Sequence, residues 1–222
     1  MGTSIELGTV PGYLATPPGS GPWPGLIVIQ EWWGLDAQTR SIADRFAAIG
    51  YLAFAPDLYH GELAQLGDHQ KAMTLTQKYA PGAAADLQKL FDALKARPDC
   101  SGKVGSVGFC FGGRMSLLLG ITRPLDALCT FYGGGMQQVF DQLDHLKSPV
   151  LGLFGDQDQS IPVGTVEEFK QILDRLGVEH DVIIYPNAGH AFFREGDPNT
   201  YRPEAAKDAW QRVTAFFEKN LG

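Results

Sequence analysis

Lys103-Val104-Gly105-Ser106-Val107-Gly108-Phe109-Cys110-Phe111-Gly112-Gly113 passes from strand to turn to helix within a few residues. Residues 103–108 read as a short buried strand and Gly112 through Gly120 as the opening of a helix, which leaves Cys110 on the turn between them. A turn of this kind forces its central residue into strained backbone geometry. Glycines two positions before and two after leave room for neighbouring backbone that a Cβ would block, and Gly108 and Gly112 hold those positions. The Cys110 side chain is then expected at the C-terminal edge of a sheet, beside the partly positive N-terminus of the following helix. Taken alone, the same residues also fit a small hydrophobic cysteine in a Gly-rich turn. The rest of the chain separates the two readings.

Outward from this stretch, apolar runs alternate with helical patterns. Leu26-Ile27-Val28-Ile29 is the first clear buried strand, and Ala37 to Ile49 has helical spacing that ends at Gly50. Tyr51 to Ala55 is the second strand, stopped by Pro56. The polar region from His60 to Pro81 is expected to hold a short helix around His69 to Lys78, followed by a better helix from Ala83 to Ala96. Leu128 to Tyr132, Val150 to Phe154 and Asp181 to Tyr185 supply further strands, with a helix near Thr165 to Leu176, and Pro203 to Asn220 closes the chain as a helix. Such alternation favours a mostly parallel central sheet with helices on both faces. Short, nearly all-apolar strands suit a sheet covered on both sides. The Gly- and Pro-rich residues 1–22 suggest an antiparallel edge hairpin.

The 222 residues, 44% hydrophobic and 19% charged, fit one globular domain spanning 1–222 with a sizeable core. A net charge of −7 without a basic cluster argues against a nucleic-acid partner. No apolar run approaches membrane-spanning length, and no signal-peptide pattern opens the chain, so no membrane association and a cytoplasmic location are expected. Cys100, Cys110 and Cys129 are an odd, widely spaced set without C-x-x-C, which signals neither a disulfide framework nor a metal site.

In open parallel sheets the active site lies beyond the carboxyl ends of the strands, so polar residues directly after strands carry the most information. Gly155-Asp156-Gln157-Asp158 follows one strand and Asn187-Ala188-Gly189-His190 follows another. The order Cys110, Asp158, His190 is the nucleophile, acid, base order of α/β hydrolases. His190 would take or share the thiol proton, and Asp158 would fix the ring tautomer. Asp156 stands as the alternative acid, and helix capping as the alternative role of Asp158. His60, His69, His145 and His180 lack the same context and read as surface residues, His60 and His69 near the cleft. Cys129 reads as core and Cys100 as a loop residue.

Four motifs in chain order together resemble the dienelactone hydrolase family over nearly the whole chain: Gln30-Glu31-Trp32-Trp33-Gly34, Pro56-Asp57-Leu58-Tyr59, the Gly108 to Gly113 turn, and Ala188-Gly189-His190-Ala191-Phe192. The resemblance implies the cysteine branch of the α/β-hydrolase fold, a Cys110, Asp158, His190 triad, and no metal or organic cofactor. It also implies Glu31 as a fourth catalytic residue that helps move the thiol proton when substrate arrives. The oxyanion hole is expected from the backbone N–H groups of Phe111 and Trp32.

The implied reaction is hydrolysis of a small-molecule lactone or ester through an acyl-cysteine, by a monomer or small homo-oligomer. Arg194, four residues after His190, matches one of two arginines with which the family's dienelactone-processing enzyme holds the substrate carboxylate. Residues 61–80 offer Lys71 and Lys78 but no second arginine, and lysine brings charge without the bidentate fork. A carboxylate-bearing substrate stays compatible without dienelactone itself being implied. Arg114 is a weaker candidate for the same task. Trp33, Tyr59, Tyr132 and Phe192 are expected to line an apolar cleft with Trp32. A thioesterase, peptidase or other acyl-transfer hydrolase on the same triad is the alternative, and a catalytically weak redox-sensing binding protein the non-enzymatic one.

Overall fold

The computed structural model describes residues 2–222. Its strands are β1 (Thr3–Leu7), β2 (Val10–Ala15), β3 (Trp23–Ile29), β4 (Leu52–Pro56), β5 (Cys100–Phe109), β6 (Ala127–Phe131), β7 (Val150–Gly155) and β8 (His180–Tyr185). The helices are α1 (Ala37–Ala48), α2 (His69–Lys95), α3 (Phe111–Thr122), α4 (Val163–Leu176) and α5 (Pro203–Leu221). All eight strands belong to one mostly parallel sheet in the order β1-β2-β4-β3-β5-β6-β7-β8. The chain divides into two compact units, one ending at Ser106 and one spanning Val107–Gly222, and the division falls inside β5.

In the first unit the expected edge hairpin is present. β1 pairs antiparallel with β2, from Thr3 opposite Leu14 to Leu7 opposite Val10. The two linking residues, Gly8 at φ 60° and Thr9 at φ 67°, are both left-handed, as a two-residue turn that matches strand twist requires. β2 continues antiparallel onto β4, which pairs parallel with β3. Asp36 starts α1 by accepting the Thr39 N–H at 2.9 Å. Its buried face is Ile42, Ala43, Phe46 and Ala47, and Gly50 at φ 102° ends the run.

α2 differs from expectation. In place of two helices, one helix runs unbroken from His69 to Lys95 through Pro81. Proline cannot donate to the carbonyl one turn back, and its ring crowds that carbonyl. The buried face nevertheless carries on across it, from Ala72 and Leu75 to Ala83, Leu87, Leu90, Phe91 and Leu94, and burial of that face outweighs the local cost. Cys100 is likewise no loop residue: it is the buried first residue of β5.

In the second unit β6, β7 and β8 pair in parallel, with Leu128 beside Val150 and Val150 beside His180. β8 is the edge strand and is mostly half-exposed, unlike the wholly buried β6 and β7. α3 packs on β6 and is buried nearly all round, so it lacks the apolar–polar division of a surface helix. A 3₁₀ segment, Met136–His145, follows β6 and buries Met136, Val139 and Leu143, an element for which the sequence pattern gives no expectation. Among the described residues no helix is long and apolar enough to cross a membrane.

Candidate active site

β5 ends at Phe109 and α3 begins at Phe111, which leaves Cys110 alone between them at φ 53°, ψ −116°. Residues with a Cβ rarely adopt this backbone, and it persists only where surrounding bonds over-determine it. Four such bonds hold it. Cys110 donates its N–H to the Phe131 carbonyl at 3.0 Å, and its own carbonyl accepts from Gly113 at 2.9 Å, Gly134 at 3.0 Å and Arg114 at 3.4 Å. A Cβ on Gly108 would fall 1.9 Å from the Gly112 carbonyl oxygen, so that glycine is a steric requirement of the turn. Cys110 is half-buried, whereas Cys100 and Cys129 are buried. Burial pushes the Cys129 thiol well up, which keeps it neutral.

The loops after β7 and β8 are tied by their backbones. Asp156 donates its N–H to Tyr185 at 3.0 Å and Gln157 to Ala188 at 2.9 Å. The approach is so close that a Cβ on Gly155 would lie 2.1 Å from the Ala188 carbonyl oxygen. This brings Asp158 to His190. His190 Nδ1 lies 2.7 Å from Asp158 Oδ2, and Asp158 Oδ1 accepts from Ser160 N–H at 2.8 Å, Ser160 Oγ at 2.6 Å and Ile161 N–H at 3.1 Å. Asp156, the alternative acid, is exposed. Engaging Nδ1 leaves Nε2 as the ring nitrogen open to a second partner, and the Cys110 sulfur acts on the ring by charge and hydrogen bond. The Tyr132 ring packs 5.1 Å from the imidazole, centroid to centroid.

Electrostatics follow from this geometry. Burial disfavours the charged His190 ring, but the Cys110 sulfur and the Asp158 carboxylate, by charge and by hydrogen bond, outweigh it and raise the His190 pKa well above its ordinary value. For Asp158, burial works upward and is outweighed by the hydrogen bond and charge of His190 and the two bonds from Ser160, so its carboxyl titrates lower than usual. Together the carboxylate and the sulfur stabilise the charged form of the ring.

Ser160 joins this group without being among the residues the sequence singles out. Its hydroxyl donates to Asp158 and also lies 3.1 Å from His190 Nδ1. The only signal for it was its place two residues after an aspartate at a loop, where a Ser N–H commonly meets the preceding carboxylate.

Other expected site residues are placed as follows. Phe111, whose N–H opens α3, is buried. Phe192 is fully buried, packed against Tyr132 and Tyr185 at 5.4 and 5.1 Å, and Arg194 is 7% exposed. In the first unit, Glu31 follows β3 and is 5% exposed, an unusual placement for a carboxylate. Trp32 is half-buried, Trp33 buried, and their rings lie 5.1 Å apart with His69 5.6 Å from each. Buried Gln30 accepts the Leu58 N–H, while Asp57 accepts from Tyr59 and Gly61, so these two motifs also hold the turn after β4. Tyr59 is a core residue, its hydroxyl 2.8 Å from Thr76 Oγ1 and its ring stacked on Tyr79. Lys71 pairs with Glu62 at 3.0 Å and Lys78 does so at 2.5 Å. Lys78, Tyr79 and Lys71 together hold the Glu62 carboxyl down at about 2. Among the described residues no group of three or more His, Cys, Asp or Glu side chains is arranged to hold a metal ion.

The profile of the dienelactone hydrolase family matches residues 10–221. The chain belongs to the dienelactone hydrolase family. It is thereby one of the hydrolases that act on ester bonds. A Methylorubrum extorquens protein named "Putative carboxymethylenebutenolidase" is 34% identical, the match covering 97% of this chain and 78% of that one. An Escherichia coli K12 protein of the same name is 36% identical, over 96% of this chain and 83% of the relative. Among solved structures, a dienelactone hydrolase, named as putative, from Klebsiella pneumoniae is 31% identical and superposes with a TM-score of 0.86, covering 98% of both chains. A dienelactone hydrolase-like promiscuous phosphotriesterase from metagenomic libraries is 26% identical with a TM-score of 0.86, covering 100% of this chain and 99% of the other. The sheet and its helices are thus those of the α/β-hydrolase fold.

Proposed function

We propose that this member of the family hydrolyses a small lactone or carboxylic ester through an acyl-cysteine intermediate, with Cys110 as nucleophile, His190 as acid and base, and Asp158 as the group that orients the ring. The observation that carries the reading is the Asp158–His190 contact of 2.7 Å beside a half-buried, hydrogen-bonded cysteine on a strained turn. The Cys110 thiolate attacks the carbonyl carbon, forming a C–S bond, and the oxyanion is held by the Phe111 N–H at the start of α3. Collapse breaks the C–O bond, and the His190 imidazolium gives its proton to the departing alkoxide or enolate. Water then adds to the thioester while His190 accepts one of its protons. The C–S bond breaks, the acid is released and the thiolate returns. Family membership supports two further roles: Glu31 as a proton switch and the Trp32 N–H as a second oxyanion donor.

Lys71, the residue offered for a substrate carboxylate, is already paired with Glu62, so charged and uncharged substrates both belong in the test. The panel is enol lactones with and without a carboxylate, aryl esters, thioesters, peptides and, given the relative named as a promiscuous phosphotriesterase, a phosphotriester. Lactone or ester turnover with a trapped thioester on Cys110, seen by mass spectrometry after a brief acid quench, is the expected result. Preferential peptide cleavage, or turnover that survives Cys110→Ala, overturns it.

A further inference from the structure

β6 is followed by Gly133-Gly134-Gly135, and two of these three glycines are required by the fold. A Cβ on Gly133 would sit 2.7 Å from Thr130 Oγ1, and Gly113 in turn leaves only 2.7 Å between its own Cβ position and the Gly133 Cα. Gly135 lies at φ 74°, in the left-handed region that side chains disfavour. Gly134 has neither reason. Its φ lies outside that region, and a Cβ there would meet nothing closer than ordinary van der Waals distance. What such a Cβ would touch is telling: Cys110 Sγ at 3.6 Å, the Cys110 carbonyl carbon at 3.8 Å and Phe111 N at 3.9 Å.

Those atoms bound the volume that a substrate carbonyl enters. In the acyl-cysteine reading, on which this inference rests, the carbonyl carbon bonds to Sγ and its oxygen approaches the Phe111 N–H. A methyl group standing beside both would compete with the substituent carried on that carbon. The Gly134 N–H, donated to the Cys110 carbonyl, fixes the glycine in this place. We propose that Gly134 is a specificity-determining position: by lacking a side chain it keeps open the space beside Cys110 Sγ and the Phe111 N–H, and so admits acyl groups branched next to the carbonyl.

The test is Gly134→Ala in the full chain, compared with wild type on p-nitrophenyl acetate and p-nitrophenyl isobutyrate, with melting temperature as the check on folding. Gly164→Ala, in open space, is the control. The branched ester is expected to lose roughly ten-fold more in kcat/KM than the acetate, the factor that crowding by one extra methyl commonly brings. Alkylation of Cys110 by iodoacetamide and by the bulkier N-benzyl iodoacetamide gives a second readout that needs no turnover, and only the bulkier reagent is expected to slow. Equal effects on small and bulky partners, or no effect on either, overturn the proposal. If wild type turns over neither ester while the alkylation contrast persists, the hydrolytic reading fails and the role of Gly134 stands.

Discussion

His190 Nδ1 can hold only one proton, and at 2.7 Å from a carboxylate oxygen it holds it there. In the proposed mechanism Asp158 does two things at once: it selects the tautomer and it stabilises the ring when charged. Asp158→Asn keeps the shape but removes a charge and a hydrogen bond that both raise the His190 pKa. The alkaline limb of the pH–rate profile is then expected to move to lower pH, and kcat/KM to fall about 10²–10⁴-fold. A limb that stays in place would separate Asp158 from the ring's titration. His190→Ala and Cys110→Ser are expected to lose about as much or more, and the double variant no more than the worse of the two, because residues acting as one unit are not additive. Gly108→Ala tests the turn itself. A methyl 1.9 Å from the Gly112 carbonyl oxygen has to displace backbone on both sides of Cys110, so soluble yield and melting temperature are both expected to fall.

At the level of elements, α2 offers a clean experiment because Pro81 and Gly82 sit together inside it. Gly82 has open space around its Cβ position and lies outside the left-handed region, so Gly82→Ala removes backbone freedom from the unfolded chain at no steric cost. About 0.5–1 kcal/mol of added stability is expected, which differential scanning fluorimetry reads as a rise of roughly 1–4 °C. Gly50→Ala, equally open but at φ 102°, is expected to lower it. The same helix shows what sequence pattern can carry. Periodicity places both halves of α2 but not their union across Pro81, because the burial that holds the helix through a proline is a tertiary fact. The strands before Cys110, Asp158 and His190 are legible since each holds a short apolar run, and the candidate site residues follow such runs directly. The substrate side was less legible. Nothing in the spacing of Lys71 shows that Glu62 takes its charge, and an aromatic residue after a strand, such as Tyr59 or Phe192, reads alike whether it lines a cleft or fills the core. Ser160 and Gly134 matter only through contacts made across loops.

For the molecule as a whole, the charged site is coupled to stability through pH. Asp158 titrates lower in the folded chain than in the unfolded one, so its contribution is complete above the ordinary aspartate range and is lost as pH falls through the folded value. His190 is raised, so its contribution is complete below about 6.5, the ordinary histidine value, and is lost as pH rises toward the folded one. Both are present together between about pH 4 and 6.5, the window in which the site adds most to stability. The two limbs have different owners. Part of the His190 shift comes from the Cys110 sulfur, through charge and hydrogen bond, whereas the acid limb depends on Asp158 with His190 and Ser160. Cys110→Ser is therefore expected to shrink the stability lost above pH 6.5 while leaving the loss at acid pH unchanged. Urea unfolding at a series of pH values, in constant ionic strength so that the net charge of −7 is screened equally, measures both limbs in one set of curves. Identical alkaline limbs in wild type and variant would mean that no thiolate–imidazolium pair contributes to the folded state. The acyl-cysteine mechanism would then have to draw its thiolate from substrate binding rather than from the resting site.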